Sequence, residues 1–148
     1  MQLFLNATSP FARLARAIAL EKRLSDRLEL VWCDPWSNDA ALLAAHTQGR
    51  IPVLVTDSGE AIAESLLIAQ YLDHAGSGPA LVPADRMAQV LARTSVGYGL
   101  MEAAFATMIA RKHTGAAADA SMLGQRRLAA MGRALRHLDQ APPACAGE

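Results

Sequence analysis

Three short segments hold the residues whose types and spacing could do chemistry. Thr8-Ser9-Pro10-Phe11 carries a serine at a helix cap and a proline at the first helical position. A helix N-terminus presents free N–H groups and partial positive charge, so a thiolate set against Ser9 would be favoured there. Taken alone, the segment reads first as a plain helix cap. Ile51-Pro52 comes about 42 residues later, just before an apolar run. A proline there fits either an ordinary trans bond at a strand start or a cis bond. The cis form would leave the backbone of Ile51 open to pairing with an extended peptide. Glu64-Ser65 follows 12 residues after Pro52 and opens another helix. It reads either as a cap with a dipole-matched acid, or as a place where Ser65 and helix N–H groups take a carboxylate while Glu64 takes an ammonium.

The elements that must position these segments can be read in order. Residues 2–6 predict a strand, and a helix with Phe11, Leu14 and Ile18 on one face follows Ser9. Residues 28–32 alternate as a second strand, and 39–46 predict a short helix. Residues 53–55 form a buried strand, Asp57-Ser58-Gly59 a hairpin turn, and 60–63 the returning strand. A helix is predicted over 66–73. The first ~78 residues thus read β-α-β-α-β-β-α, an α/β pattern with one parallel unit and one antiparallel hairpin. Gly76-Ser77-Gly78-Pro79 reads as a linker. Beyond it strand signals stop. Residues 85–112 and 121–139 predict two helices, separated by a Gly/Ala-rich break at 113–120. The final APPACAGE cannot continue a helix past Pro142. The expected division is a domain over 1–77 and a helical domain over 84–140.

Composition narrows the function. Of 148 residues, 31 are alanine and only 5% aromatic, so the apolar share leans towards helix. Lys+Arg and Asp+Glu are balanced at 14 each, which argues against a basic nucleic-acid binder or a polybasic membrane protein. No apolar run approaches the ~18 residues of a membrane span, and the start predicts no secretory signal. Cys33 and Cys145 form no C-x-x-C, and the four histidines make no H-x-x-x-H pair, so neither a disulfide scaffold nor a metal site is expected. A cytoplasmic location is the expectation.

The three segments in register resemble the serine-type glutathione transferases. The stretches TSPFARLARAIALEK, GRIPVLV and ESLLIAQYLD look like the glutathione-binding half of that family, and the likeness continues more weakly through LVPADRMAQVLAR. The resemblance implies a thioredoxin-like N-terminal domain followed by an all-α C-terminal region. That region is shorter than the family's, as if truncated. It implies Ser9 as the catalytic residue, donating a hydrogen bond to the glutathione sulfur, with Thr8 as the fallback donor. It implies Ile51 and a cis Pro52 against the cysteinyl part, Glu64 and Ser65 at the γ-glutamyl end, and Arg50 near the glycyl carboxylate.

Glutathione would be a co-substrate, with no cofactor and no metal. The other substrate would be a small, apolar electrophile. Phe11, Tyr98, Met101 and Phe105 are candidates for its pocket, although a Met and aromatic stripe at helical spacing also fits core or dimer contact. A homodimer is expected. Ser9-Pro10-Phe11-Ala12 stands where redox relatives of this fold carry C-x-x-C, which excludes a dithiol reductase at that place. His46-Thr47-Gln48 departs from the family's usual Asn-Pro, so the loop before Arg50 is expected to differ. Two other readings stand beside the transferase: a non-catalytic glutathione-binding or protein-interaction module, and a structural remnant with neither property.

Overall fold

A computed structural model describes residues 1–140. The expected end of helix at Pro142 lies outside the described residues. The chain divides into two compact units, Met1–Leu81 and one beginning at Val82.

The first unit runs β1 (Gln2–Leu5), α1 (Pro10–Glu21), β2 (Glu29–Trp32), α2 (Ala40–Ala45), β3 (Val53–Val55), β4 (Ala61–Ala63) and α3 (Ser65–Ala75). The four strands form one sheet in the order β2-β1-β3-β4. β1 pairs in parallel with β2, Leu3 opposite Leu30, and antiparallel with β3, Leu3 opposite Leu54. β3 pairs antiparallel with β4, Val53 opposite Ala63. The parallel pair needs a crossover, which α1 supplies. The antiparallel β3–β4 pair needs only the tight turn, where Gly59 sits at φ 95°.

Strand alternation splits the core into two layers. Leu3 and Leu54 face one side and pack with Ala15, Ala19 and Leu24 and with Ile68 and Leu72 of α3. Phe4 and Val53 face the other side and pack with Leu42 of α2. On α1 the buried stripe is Ala12, Ala15 and Ala19. The larger Phe11, Leu14 and Ile18, expected to form the core face, are half-buried beside it. Small side chains on the innermost stripe let the helix approach closely.

The second unit is helical: a 3-10 turn at Ala84–Arg86, α4 (Met87–Thr114), α5 (Ala117–Ala120) and α6 (Met122–Gln140). Thr107 of α4 is buried, and its hydroxyl donates to the Ala103 carbonyl at 2.8 Å. The stretch 113–120, expected as an irregular break, contains the four-residue α5. It is tied to α4 by Arg111, whose Nε and Nη2 donate to the Asp119 carboxylate at 2.8–3.1 Å. Gly124 of α6 lies so close to α5 that a Cβ there would stand 1.9 Å from the Ala118 carbonyl oxygen. Among the described residues, no helix is long and apolar enough to cross a membrane.

Candidate functional site

The sheet registers place the three segments together. Continuing the β1–β3 register one step sets Pro52 opposite Leu5, and continuing β3–β4 one step sets Glu64 opposite Pro52. The turn after β1, the start of β3 and the end of β4 therefore share one end of the sheet. Helices α1 and α3 both begin at that end, so two helix N-termini, each with orphan N–H groups, open there.

Ser9 caps α1 in extended conformation (φ −70°, ψ 118°), with Pro10 at the first helical position. Its side-chain oxygen accepts the Ala12 N–H at 3.2 Å, and the residue is only 8% exposed. An accepting hydroxyl keeps its own hydrogen to donate elsewhere. Sequence reasoning missed what holds this turn. The Asn6 side-chain oxygen accepts from the Ser9 backbone at 2.9 Å, the Thr8 backbone at 3.2 Å and the Thr8 hydroxyl at 3.3 Å. An asparagine three residues ahead of a capping serine is the signal that could have found it.

The Ile51-Pro52 peptide is cis, and Pro52 is buried at the foot of β3. Glu64 caps α3 with its backbone at φ 66°, ψ 116° and makes no side-chain capping bond. A non-glycine residue there costs on the order of 1–3 kcal/mol, and such strain collects at ligand-binding positions. Ser65 beside it is 2% exposed. Arg50 reaches Glu64 at 3.4 Å, both side chains more than half exposed. Nδ1 of His46, at the end of α2, is enclosed without a hydrogen-bond partner.

Ser9, Arg50, Ile51, Pro52, Glu64 and Ser65 thus meet at one sheet end. Phe11 lies in the first turn of α1, half-buried, while Tyr98, Met101 and Phe105 belong to the second unit. They are half-buried on one face of α4.

One thiol also ends at this side of the sheet. Cys33 follows β2, its N–H donates to the Leu5 carbonyl at 3.0 Å, and its Sγ contacts the same oxygen at 3.6 Å. Burial raises its pKa first and the charge of Asp39 adds to this, with a smaller contribution from Asp34; the bond to Leu5 opposes them. The folded-state pKa is above the ordinary value, so Cys33 stays protonated through neutral pH and gains thiolate only under alkaline conditions. In a Cys145→Ser chain, iodoacetamide is expected to alkylate Cys33 more slowly at pH 7 than it does a free thiol. Equal rates would contradict the part-buried, protonated thiol.

Residues 8–75 match the sequence profile of the family described as glutathione S-transferase, N-terminal domain. The N-terminal unit is a glutathione S-transferase N-terminal domain. It has the family's thioredoxin-like fold, here followed by the helical second unit. The uncharacterized GST-like protein YibF of Escherichia coli (strain K12) is 31% identical over 105 residues, covering 70% of this chain and 51% of YibF. Protein IN2-1 homolog A of Oryza sativa subsp. japonica is 33% identical over 98 residues, covering 66% of this chain and 40% of the plant protein. The chain spans about half, or less, of the length of these curated relatives. Among solved structures, a glutathione S-transferase from Methylobacillus flagellatus with glutathione bound superposes with a TM-score of 0.81. It is 28% identical, and the match covers 94% of this chain and 68% of that one. A glutathione transferase family member from Pseudomonas fluorescens Pf-5, also with bound glutathione, gives 0.79 at 26% identity, covering 95% and 70%.

Proposed function

We propose that this chain binds glutathione at the shared sheet end and activates its thiol for attack on a small, apolar electrophile. The observation that carries the reading is the convergence of two helix N-termini there, one bearing a serine whose hydroxyl keeps its hydrogen to donate. On this reading the cysteinyl backbone of glutathione pairs with Ile51 as an added strand beside Pro52. The γ-glutamyl carboxylate meets Ser65 and the start of α3, and its ammonium meets Glu64. Arg50 serves the glycyl carboxylate. The Ser9 hydroxyl donates to the sulfur, so the thiol proton is lost at lower pH. The thiolate forms a bond to the electrophilic carbon, whose leaving group departs with its electron pair. The protein holds both reactants in place, and Ser9 forms no covalent bond. Phe11, in the first turn of α1, is the proposed electrophile contact within this unit. No cofactor or metal enters this scheme.

The test is conjugation of a chromogenic aryl halide by the purified chain, alongside retention on immobilised glutathione. Turnover above the buffer rate supports the transferase. Retention without turnover would assign the site to glutathione binding alone, and failure of both would refute the proposal. Replacing Glu64 separates its two roles. Glu64→Ala is expected to weaken glutathione binding by up to ~1–3 kcal/mol, because a ligand ammonium loses its partner. Glu64→Gly should lose the same affinity yet fold more stably than the alanine variant by roughly 1 kcal/mol, since glycine tolerates the positive φ. Calorimetry and denaturant melts read the two effects. Unchanged binding in both variants would remove Glu64 from the site.

The proposed assembly is a homodimer. Each unit leaves large apolar side chains in solvent, Leu66 and Leu67 on α3 and Met87 and Leu91 on α4, and such exposure favours a partner surface. Light scattering at micromolar concentration is expected to give twice the chain mass, and a uniform monomer would count against it.

A further inference from the structure

Lysine is seldom fully buried, and Lys22 at the end of α1 is 3% exposed. Its ammonium pairs with Asp73 of α3 at 2.8 Å, where the carboxylate is 12% exposed. The same ammonium donates to the Pro79 carbonyl at 2.9 Å and, more weakly, to the Gly78 carbonyl at 3.5 Å. The Lys22 carbonyl accepts the Ser77 N–H at 3.0 Å. Asp73 accepts the Leu81 N–H with both oxygens at 3.1 Å. Gly76 passes so near that a Cβ there would stand 2.5 Å from the Lys22 Cβ and 2.6 Å from its carbonyl oxygen.

The segment 76–81 has the composition of a free linker, yet Gly78, Pro79 and Leu81 are tied to this one ion pair and Ser77 to the Lys22 backbone. We propose that 76–81 is a strap latched to the N-terminal unit by Lys22 and Asp73, and that the joint between the two units begins only at Val82. The charge complementarity is specific. Carbonyls of the strap meet the ammonium, its last N–H meets the carboxylate, and each charge is balanced by the other. Opening the latch would lengthen the free joint back to Gly78, Ser77 staying tied to the Lys22 carbonyl, so the pair sets how much chain the second unit has as a tether.

Hydrogen exchange on the full chain, read by mass spectrometry and NMR, tests this. In the wild type the Ser77 and Leu81 amides are expected to exchange at least about ten-fold more slowly than unprotected amides. The double variant Lys22→Met with Asp73→Leu removes both charges together and leaves neither one unpaired. It should keep the protection of the β3 amides and bring Leu81 to within about two-fold of the unprotected rate. Thermolysin, which cuts ahead of leucine, should then cleave between Ala80 and Leu81. A wild-type strap that exchanges as freely as unfolded chain overturns the proposal, without any variant. So does a double variant whose strap is as protected as the wild type's. Should the double variant lose β3 protection, Asp73→Asn, which keeps the side-chain shape, takes its place; an unchanged Leu81 rate there would overturn the latch.

Discussion

Replacing Ser9 with alanine is expected to cut turnover by roughly 10- to 1000-fold while glutathione affinity changes little. A free thiol titrates near ~8.5, so only a few per cent is thiolate at neutral pH. A hydroxyl donor at the start of a helix stabilises the charged form and brings that pKa down. Removing the hydroxyl returns the bound thiol towards its free value. The same change strips the Ala12 N–H of its 3.2 Å partner. It should therefore also cost about 0.5–2 kcal/mol of stability, as any lost cap does. The two losses are told apart by titrating the absorbance of the bound thiolate. An alkaline shift in the variant assigns activation to Ser9. Superimposable curves would leave Ser9 as a cap only. Thr8 is a poor substitute, since its exposed hydroxyl already donates to Asn6.

The second large effect falls on stability. Lys22→Met alone should destabilise the N-terminal unit by about 3–5 kcal/mol, because it removes the cation that balances the Asp73 carboxylate where water reaches it poorly. Adding Asp73→Leu should recover most of that loss, since two apolar side chains of similar bulk replace two charges. Both tryptophans, Trp32 and Trp36, lie in this unit, so their fluorescence during urea unfolding follows it selectively. A single variant within about 1 kcal/mol of wild type would mean that the pair is effectively solvated.

The legible parts of the fold are those written in local residue chemistry. Ser9-Pro10 announced the start of α1, and the apolar runs before and after Asp57-Ser58-Gly59 announced β3 and β4. The cis bond at Ile51-Pro52 was expected from the family resemblance, since composition alone cannot choose the isomer. The positive φ of Glu64 left no trace, because glutamate does not favour that region and adopts it only where the surrounding structure compels it. The latch was invisible for a related reason. Lysine reads as surface, and Gly-Ser-Gly-Pro reads as linker whether or not its carbonyls find a donor. The short α5 hid in an alanine-rich stretch, where helix propensity is high but the Arg111–Asp119 contact that anchors it spans eight residues and two elements.

The inner place of β1 in the sheet also shapes the order of folding. The strand is made first, yet it needs β2 on one side and β3 on the other, and β3 lies some fifty residues downstream. Closing so wide a loop is costly before any contact rewards it, and such non-local pairings slow folding. Leu3, fully enclosed in the finished sheet, can meet Ala15, Ala19 and Leu24 early, but Leu54, Ile68 and Leu72 complete its surroundings only late. Helix α1, whose hydrogen bonds are local, can flicker into shape within microseconds of emerging. The turn that presents Ser9 is thus expected to be assembled from its helix side early and locked from its strand side late, when Val53 arrives opposite Phe4.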